Sequence, residues 1–144
     1  MNIFVCKDCG HIEFGSTPDK CPVCFAIEKK FEINNNVFID AERKSKEASI
    51  NHAPVIKTVE KNRLITNKQY TDVLVRIGER MHPMKKEHYI GFIDCYLDNK
   101  YVSRIMLTPF MIPFVVFHLL NKGSKITVVE SCNIHGHWMT EAKF

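Results

Sequence analysis

Short apolar segments separated by turn residues fill the second half of the chain. Five of them are rich in β-branched and aromatic residues and are predicted to be strands: residues 70–77, 88–97, 101–107, 114–119 and 125–131. The turn Asp98-Asn99-Lys100 predicts a β-hairpin, and Asn121-Lys122-Gly123 separates the last two segments. Because no amphipathic helix is evident between these segments, the pattern predicts a mainly β protein built as an antiparallel sandwich.

The chain becomes polar and charged between about residue 33 and residue 49. Asn34-Asn35-Asn36 is followed by a charged run over residues 42–47. This pattern predicts a turn and then a short linker or an exposed helix. We therefore expect three parts: a small module over residues 1–35, a linker over residues 36–49, and the sandwich domain over residues 50–144.

Composition and charge narrow the class of protein. The 144 residues are 45% hydrophobic and 25% charged, as in an ordinary globular protein. Charges near the N-terminus interrupt any signal-peptide core, so we expect a cytoplasmic protein. The longest apolar stretch, residues 105–120, is interrupted by two prolines and a histidine and is too short to cross a bilayer. The formal charge of +4 is scattered, which disfavours a nucleic-acid partner.

Two Cys-x-x-Cys pairs dominate the first 35 residues. Cys6 and Cys9 are followed, after eleven intervening residues, by Cys21 and Cys24. In a chain that is not expected to be secreted, such pairs indicate metal ligands rather than disulfides. Two tight knuckles supply four thiolates in a tetrahedron, and so short a module needs the metal as its structural centre.

The metal that these four cysteines bind remains open. A tetrahedral set of thiolates accepts either iron, which would carry electrons, or zinc, which would only hold structure. A nucleic-acid-binding zinc ribbon is a third interpretation, which the lack of an obvious array of stacking aromatic residues disfavours.

A second set of donors lies in the sandwich region. Cys132 and His135 are three residues apart near the C-terminus, and His82 and His88 flank a loop opened by Pro83. Sulfur and imidazole together select iron, copper or zinc over magnesium or calcium. The loop can wrap both histidines around one ion, which a helix could not do at this spacing. Redox metal chemistry is the leading hypothesis.

Three motifs resemble the signatures of the superoxide reductase family, also called desulfoferrodoxin or neelaredoxin. They are His52-Ala53-Pro54-Val55-Ile56, the segment from His82-Pro83-Met84 to His88-Tyr89-Ile90, and Cys132-Asn133-Ile134-His135-Gly136-His137-Trp138. The resemblance covers the chain from about residue 50 to its end. It implies an immunoglobulin-like, seven-stranded antiparallel β-sandwich.

The resemblance also implies the chemistry. One iron would be bound by a square of four imidazoles and an axial thiolate: His52, His82, His88, His135 and Cys132. The iron would cycle between Fe2+ and Fe3+, and its five ligands are also the expected catalytic residues. The thiolate leaves the opposite position open. Superoxide would be reduced there by one electron to hydrogen peroxide, without release of dioxygen. The alternative is a non-catalytic iron-binding electron-transfer protein with the same sandwich.

The N-terminal module resembles the rubredoxin-like module at the end of rubrerythrins. Two-iron desulfoferrodoxins have a different N-terminal module, which ends in adjacent cysteines. The cofactors implied are thus a catalytic iron and a second iron or zinc at the four cysteines. The implied partners are superoxide, an electron donor such as rubredoxin, and further copies of the chain in a dimer or tetramer. The expected role is detoxification in an anaerobe.

The chain departs from the family pattern just before its first histidine ligand. Ile50 and Asn51 stand where family members carry Glu-Lys, the lysine giving a positive charge near the open site. Candidate replacements are the Lys46-Glu47 pair, Lys85 and Lys86. The span between the first two histidine ligands is also longer than usual, and residues 60–68 are predicted to be an inserted hairpin or loop.

Other histidines and cysteines have plain structural interpretations. His11, His118 and His137 match no ligand position; His118 is expected within the sandwich, and His137 near the metal or exposed. Cys95 is expected to be a buried, inert thiol. For Trp138, packing over the metal site and an ordinary place in the core are both open.

Overall fold

The computed structural model describes residues 1–43, 46–60, 64–65 and 69–144, without the side chains of residues 46–48. Its first part is a three-stranded antiparallel sheet, in the order β2-β1-β3. The elements of this part are β1 (Ile3–Cys6), β2 (Ile12–Phe14), a 3-10 helix (Glu28–Lys30), β3 (Phe31–Ile33), α1 (Val37–Glu42) and α2 (Lys46–His52). The range predicted to be a linker or an exposed helix thus holds α1 and the start of α2.

Seven further strands form two antiparallel sheets. They are β4 (Pro54–Val59), β5 (Tyr70–Ile77), β6 (Ile90–Leu97), β7 (Lys100–Met106), β8 (Phe114–Leu120), β9 (Lys125–Cys132) and β10 (Gly136–Lys143). One sheet has the order β10-β9-β6-β7 and the other β4-β5-β8. The predicted sandwich and its seven strands are confirmed.

The main core lies between these two sheets. On β5 the buried residues alternate with more exposed ones, because successive side chains of a strand point to opposite faces. The inward residues of both sheets form one apolar cluster, which includes Val73, Val75, Val115, Phe117, Ile93, Cys95, Ile126 and Val128. The end of this core at Ile90 and Cys132 carries the candidate chemistry.

The four-stranded sheet is covered on its outer face as well. Most of β6 and β9 is buried at consecutive positions, which a one-sided sheet would not show. A second cluster joins Ile12 of β2 and Phe38 of α1 to Tyr96 and Val129 of the sheet. Helix α1 is therefore half-buried rather than fully exposed, and the N-terminal part rests on the sandwich. The boundaries at residues 35 and 49 stay a prediction.

Two of the seven strands were not predicted. β4 begins at a proline, and only its first residue is fully buried, so its apolar pattern is weak. β10 is buried at only one of its eight positions, yet it pairs with β9 over eight residues. Both strands lie at sheet edges, where pairing to one neighbour rather than burial holds the strand. Within the described ranges, no helix is long and apolar enough to cross a bilayer.

Two candidate metal centres

The structure brings the five predicted histidine and cysteine ligands of the sandwich together. Their donor atoms all lie within 4.8 Å of one another. The residues come from four places: His52 at the end of α2, His82 and His88 in the loop between β5 and β6, Cys132 at the end of β9, and His135 in the turn to β10. We call this cluster the histidine site.

The four imidazole rings stand at the corners of a square. Neighbouring ring centroids are 4.5 Å apart from His52 to His82 and from His82 to His88. They are 4.9 Å apart from His88 to His135 and from His135 back to His52. The diagonal from His52 to His88 measures 6.3 Å. Four rings in this arrangement can direct one nitrogen each to a common centre.

Hydrogen bonds on the outer side of the rings fix which nitrogen faces inward. The Nδ1–H of His82 donates to the carbonyl of Pro83 at 2.6 Å, so that Nε2 keeps its lone pair. The Nε2 atoms of His82 and His88 are buried and have no hydrogen-bond partner among the described residues. The Nε2 atom of His52 lies 3.1 Å from the Nδ1 atom of His135. Buried polar atoms without partners are costly, which is expected where a metal ion completes the site.

These distances fit a metal ion with four nitrogen ligands. At a metal–nitrogen distance of about 2.1 Å, adjacent nitrogens of a square are about 3.0 Å apart and opposite ones about 4.2 Å. The distance between His52 and His135 matches the adjacent pair, and the 4.8 Å limit accommodates the diagonal.

The electrostatic setting favours the neutral form of three imidazoles, those of His52, His82 and His88. Burial, and then the neighbouring histidines, lower the pKa of His52 to about 3. Burial also lowers the pKa of His82 to about 4, with His88 and His135 adding to the shift. The pKa of His88 is lowered by burial, by His135 and by Lys85. Near neutral pH these three rings are therefore ready to bind a cation.

Cys132 supplies the fifth donor from the core side. Its side chain belongs to the main apolar cluster, and its Sγ atom lies 3.6 Å from the Nδ1 atom of His135. Burial raises the pKa of the thiol, although backbone N–H groups of Ile134 and His135 donate to the sulfur. A bound cation reverses this preference and deprotonates a coordinating thiol.

A glycine turn positions the first two histidines relative to each other. Gly78 has a φ of +84°, and a Cβ atom there would lie 2.2 Å from the carbonyl oxygen of Arg80 and 2.5 Å from that of Asn51. Only glycine permits this approach. The N–H of Arg80 donates to the carbonyl of Ile50, and the N–H of His82 to that of Ile77. The end of α2 and the start of the His82 loop are thereby held side by side.

Asn133 connects the other ligand segments. Its side-chain oxygen accepts a hydrogen bond from the N–H of Tyr89 at 2.9 Å, and its amide group donates to the carbonyl of Glu87 at 3.0 Å. The backbone N–H of Asn133 also donates to the carbonyl of Tyr89. These three bonds fix the segment around His88 against the segment that follows Cys132.

Sequence reasoning missed Glu130, which contacts His52. The Glu130 side chain is fully buried, and its Oε1 atom accepts a hydrogen bond from the Nδ1–H of His52 at 3.0 Å. Burial raises the pKa of this carboxyl well above its usual value. A nearby metal cation would favour the ionised form. The signal was available: a glutamate in an apolar strand, two residues before Cys132, faces the same side as the sulfur.

Trp138 packs against the same histidine. Its ring is stacked on that of His52, with the centroids 4.9 Å apart and the planes 10° from parallel. The side chain is buried. Of the two interpretations left open, packing over the site is the one that the structure supports, and the indole screens this side of the site from water.

The four N-terminal cysteines form a second cluster, which we call the cysteine site. Cys6, Cys9, Cys21 and Cys24 place their sulfurs within 4.8 Å of one another. The Cys6–Cys24 and Cys9–Cys21 sulfur distances are 3.7 and 3.6 Å. Sulfurs bound at about 2.3 Å in a tetrahedron lie about 3.8 Å apart, so the site fits an ion held by four thiolates.

Backbone groups already point at these sulfurs. Burial raises the pKa of Cys9 and Cys21, and N–H groups from His11 and from Val23 oppose the shift at the two sulfurs. Although burial raises it, the pKa of Cys24 is lowered overall because the N–H of Ala26 and the other thiols donate to its sulfur. These donors favour thiolates in both knuckles, as the Cys-x-x-Cys spacing predicted.

The remaining predicted residues occupy varied environments. Cys95 is fully buried, as predicted, and burial raises the pKa of its thiol to about 12, which favours the protonated form. His118 lies on β8 but faces outward, where it contacts Asp72 at 2.6 Å. His11 is buried and contacts Glu13 and Asp94.

The two positions where the family carries Glu-Lys, residues 50 and 51, hold uncharged side chains. Ile50 and Asn51 lie in the last turn of helix α2, directly before its final residue, His52. Lys85 and Lys86 are exposed, and Lys85 lies near enough to His88 to influence it. The side chains of Lys46 and Glu47 lie outside the described residues, as do most of residues 60–68.

Comparisons with known proteins agree on one family. The desulfoferrodoxin family model matches residues 40–141, which include the whole histidine site. The chain is 30% identical to a desulfoferrodoxin of Desulfarculus baarsii over 142 residues, or 98% of this chain and 96% of the relative. It is also 30% identical to a desulfoferrodoxin of Syntrophotalea carbinolica over 144 residues, with the same two coverages. A solved superoxide reductase (neelaredoxin) from Ignicoccus hospitalis aligns with a TM-score of 0.57 and 26% identity, over 72% of this chain and 88% of that one.

Proposed function

We propose, from the premise that this chain belongs to the desulfoferrodoxin family, that it is a superoxide reductase. One electron and two protons would convert superoxide to hydrogen peroxide at the histidine site, and no dioxygen would form. The observation that carries the proposal is the square of inward-facing imidazole nitrogens with the Cys132 sulfur on its core side.

The donor set favours iron at the histidine site. Neutral imidazoles with one thiolate suit a redox-active transition metal. Bound iron supplies a one-electron couple between Fe2+ and Fe3+. We accordingly assign the catalytic ligands as His52, His82, His88, His135 and Cys132.

The surrounding residues have distinct tasks in this proposal. Glu130 holds the Nδ1–H of His52 and so keeps its Nε2 atom directed inward. Trp138 covers one side of His52 and limits the entry of water there. Cys132 occupies the core side of the square, which leaves the opposite face for superoxide. Lys85, near His88, contributes positive charge that attracts an anion.

The cysteine site is the second metal centre of the proposal. Its tetrahedron of sulfurs accepts iron or zinc, and iron would let it pass electrons. We expect a small redox protein such as rubredoxin as the electron donor, a cytoplasmic location, and assembly into a dimer or tetramer. Metal analysis of anaerobically purified protein measures how much iron and zinc each chain binds.

Pulse radiolysis tests the activity directly. Chemically reduced protein is mixed with a known pulse of superoxide, and hydrogen peroxide and dioxygen are measured. We expect one hydrogen peroxide for each superoxide consumed, with no dioxygen. Release of dioxygen would indicate dismutation instead and would contradict the proposal.

A non-catalytic electron-transfer protein is the alternative function. It is favoured by one observation, the presence of Ile50 and Asn51 where a charged pair was expected. It predicts iron at the histidine site, reversible oxidation and reduction, and no consumption of superoxide beyond that of a metal-free control.

A further inference from the structure

One hydrogen bond links the chain segments that carry the two candidate metal centres. The Nε2–H of His137 donates to the carbonyl of Gly10 at 2.8 Å. Gly10 directly follows Cys9 of the cysteine site, and His137 lies two residues after His135 of the histidine site. This contact therefore joins the backbone of the residue after Cys9 to a side chain two residues after His135.

Gly10 allows this close approach. It has a φ of +72°, and a Cβ atom at this position would lie 3.2 Å from the Nε2 atom of His137 and 3.5 Å from the Phe92 ring. Both the backbone conformation and the limited space favour glycine here. The knuckle of the first cysteine pair is thus pressed against the side chains of β6 and β10.

A second side chain, Arg104, binds the backbone carbonyl of Cys9, the residue before Gly10. Arg104 donates from Nη1 to the carbonyl of Cys9 at 2.8 Å, and it is itself held by Asp94 at 2.6 and 2.7 Å. Its guanidinium group also stacks on the Phe92 ring, 3.4 Å from the centroid. Because the Arg104–Asp94 pair is buried and charge-assisted, it fixes the knuckle firmly.

The hydrogen bonds of Arg104 and His137 connect the cysteine site to different strands of the sandwich. From Arg104 the chain continues along β7, which holds no member of the histidine site. From His137 two peptide units lead back to His135. The His137 contact is thus the shorter connection between the two centres through bonded and hydrogen-bonded atoms.

We propose that His137 is the bridge through which one electron passes from the cysteine site to the histidine site. The proposal rests on the proposed function and on iron at both sites. With iron held by the four cysteines and by the histidine site, one electron would leave Fe2+ at the cysteine site, which would become Fe3+, and would reduce Fe3+ at the histidine site to Fe2+. No bond is formed or broken, and His137 keeps its Nε2 proton. His137 acts as a positioning residue, since it touches neither superoxide nor the proposed iron ligands' donor atoms.

The test follows electron transfer without superoxide. Fully oxidised protein receives less than one electron per chain from a flash-generated flavin radical, and the visible bands of the two irons are followed over time. In the parent we expect a phase that moves the electron to the histidine site at a rate independent of protein concentration. Its absence would overturn the proposal, as would zinc at the cysteine site of the protein purified from cells grown with iron.

Paired substitutions at one position separate the bridge from simple packing. His137→Phe keeps a ring of similar size but removes the donor, and we expect the transfer rate to fall about tenfold or more, as small losses of positioning can cause. His137→Gln places an amide N–H at similar reach and should restore most of the parent rate. A Phe variant as fast as the parent, or a Gln variant as slow as the Phe variant, would overturn the proposal.

A matched control tests the docking of the knuckle. Arg104→Lys keeps a positive charge beside Asp94 but weakens the hydrogen bond to the carbonyl of Cys9, and its transfer rate should stay close to that of the parent. An equal slowing in the Arg104→Lys and His137→Phe variants would assign the effect to docking and would overturn the bridge. Midpoint potentials and iron content are measured for each variant, and His137→Met replaces His137→Phe if the latter fails to bind both irons.

The proposed function is judged separately. Parent protein reduced chemically at both sites and mixed with superoxide reports on the reaction at the histidine site alone. Rapid internal transfer together with no superoxide consumption would leave the bridge standing and remove the reductase function. Superoxide consumption without internal transfer would support the reductase function and overturn the bridge.

Discussion

The cysteine site and the histidine site are built in opposite ways. The cysteine site takes its four donors from two short knuckles within residues 6–24, and the buried cluster around it consists largely of the cysteines themselves with Phe31. The histidine site takes its donors from segments between residues 52 and 135, at the end of a core of two packed sheets. In the first centre a bound ion would complete the local core, whereas in the second the core of the sandwich positions the donor atoms.

Substitution of Cys132 gives the largest effect expected in the histidine site. Cys132→Ser replaces the sulfur by a harder, less electron-releasing oxygen. We expect loss of the visible sulfur-to-iron charge-transfer band and of most superoxide reduction, measured by absorption and pulse radiolysis. Cys95→Ser is the matched control, since Cys95 is a buried cysteine outside both sites. An unchanged spectrum in Cys132→Ser would show that this sulfur is not a ligand.

Substitution in the cysteine site tests how local that centre is. Cys9→Ala or Cys24→Ala should abolish metal binding there and unfold the two knuckles, because the apolar cluster around the sulfurs contains little besides the cysteines and Phe31. Strands β5 and β8 should stay protected in hydrogen exchange, since they lie in the opposite sheet. The contact of Ile12 and Phe38 with Tyr96 predicts some loss of protection in β6. Loss of metal from both sites together would contradict the local character of the cysteine site.

Glu130 tests whether the core sets metal affinity. Glu130→Ala removes the acceptor that orients His52, and we expect iron affinity to fall about 10- to 100-fold. Glu130→Gln keeps an acceptor oxygen, and its iron affinity should fall less than that of Glu130→Ala. Competition with a chelator measures both values, and equal affinities in the parent and the alanine variant would show that packing against Trp138 alone orients His52.

The depressed histidine pKa values predict an acid limit. In the metal-free protein, His52 and His82 titrate at about 3 and about 4 when folded, and at about 6.5 when unfolded. The unfolded state therefore binds more protons below about pH 6.5, and the free energy of unfolding should fall as the pH is lowered from there toward 4. Denaturant titrations at several pH values measure it. The variant His82→Gln should show a shallower dependence, and an equal slope would contradict the assignment.

The smallest effect concerns the attraction of superoxide. Lys85→Ala should slow the reaction modestly at low salt, and Asn51→Lys should speed it, because a nearby cation raises the encounter rate of an anion. Both effects should fade as salt screens charges beyond about 10 Å at 0.1 M. Lys143→Ala, on β10 away from the loop of His88, is the control. Rates that do not differ at any salt concentration would indicate that the metal charge alone attracts the anion.

The sequence predicted those features that local chemistry dictates. The five apolar strands and both sets of donors follow from residue pattern and from the family resemblance, and the structure places them together. Strands β4 and β10 were missed because edge pairing, rather than burial, holds them. The contacts of Glu130 with His52 and of His137 with Gly10 were missed for a related reason. The partners lie 78 and 127 positions apart in the chain, respectively; strand alternation places Glu130 on the side of Cys132, but only the fold shows which side chain it meets there.

Glycine at position 78 lets this turn close without help from a bound metal. A methyl group there would press on the carbonyls of Asn51 and Arg80 and would displace the segments of His52 and His82 together. Four nitrogens and a sulfur converging on one ion would draw those segments back, so part of the binding energy would be spent on closing the turn. In a Gly78→Ala protein, the closed position of these two segments would thus depend on bound metal. Glycine, which has a hydrogen atom in place of the methyl group, lets the turn close without it.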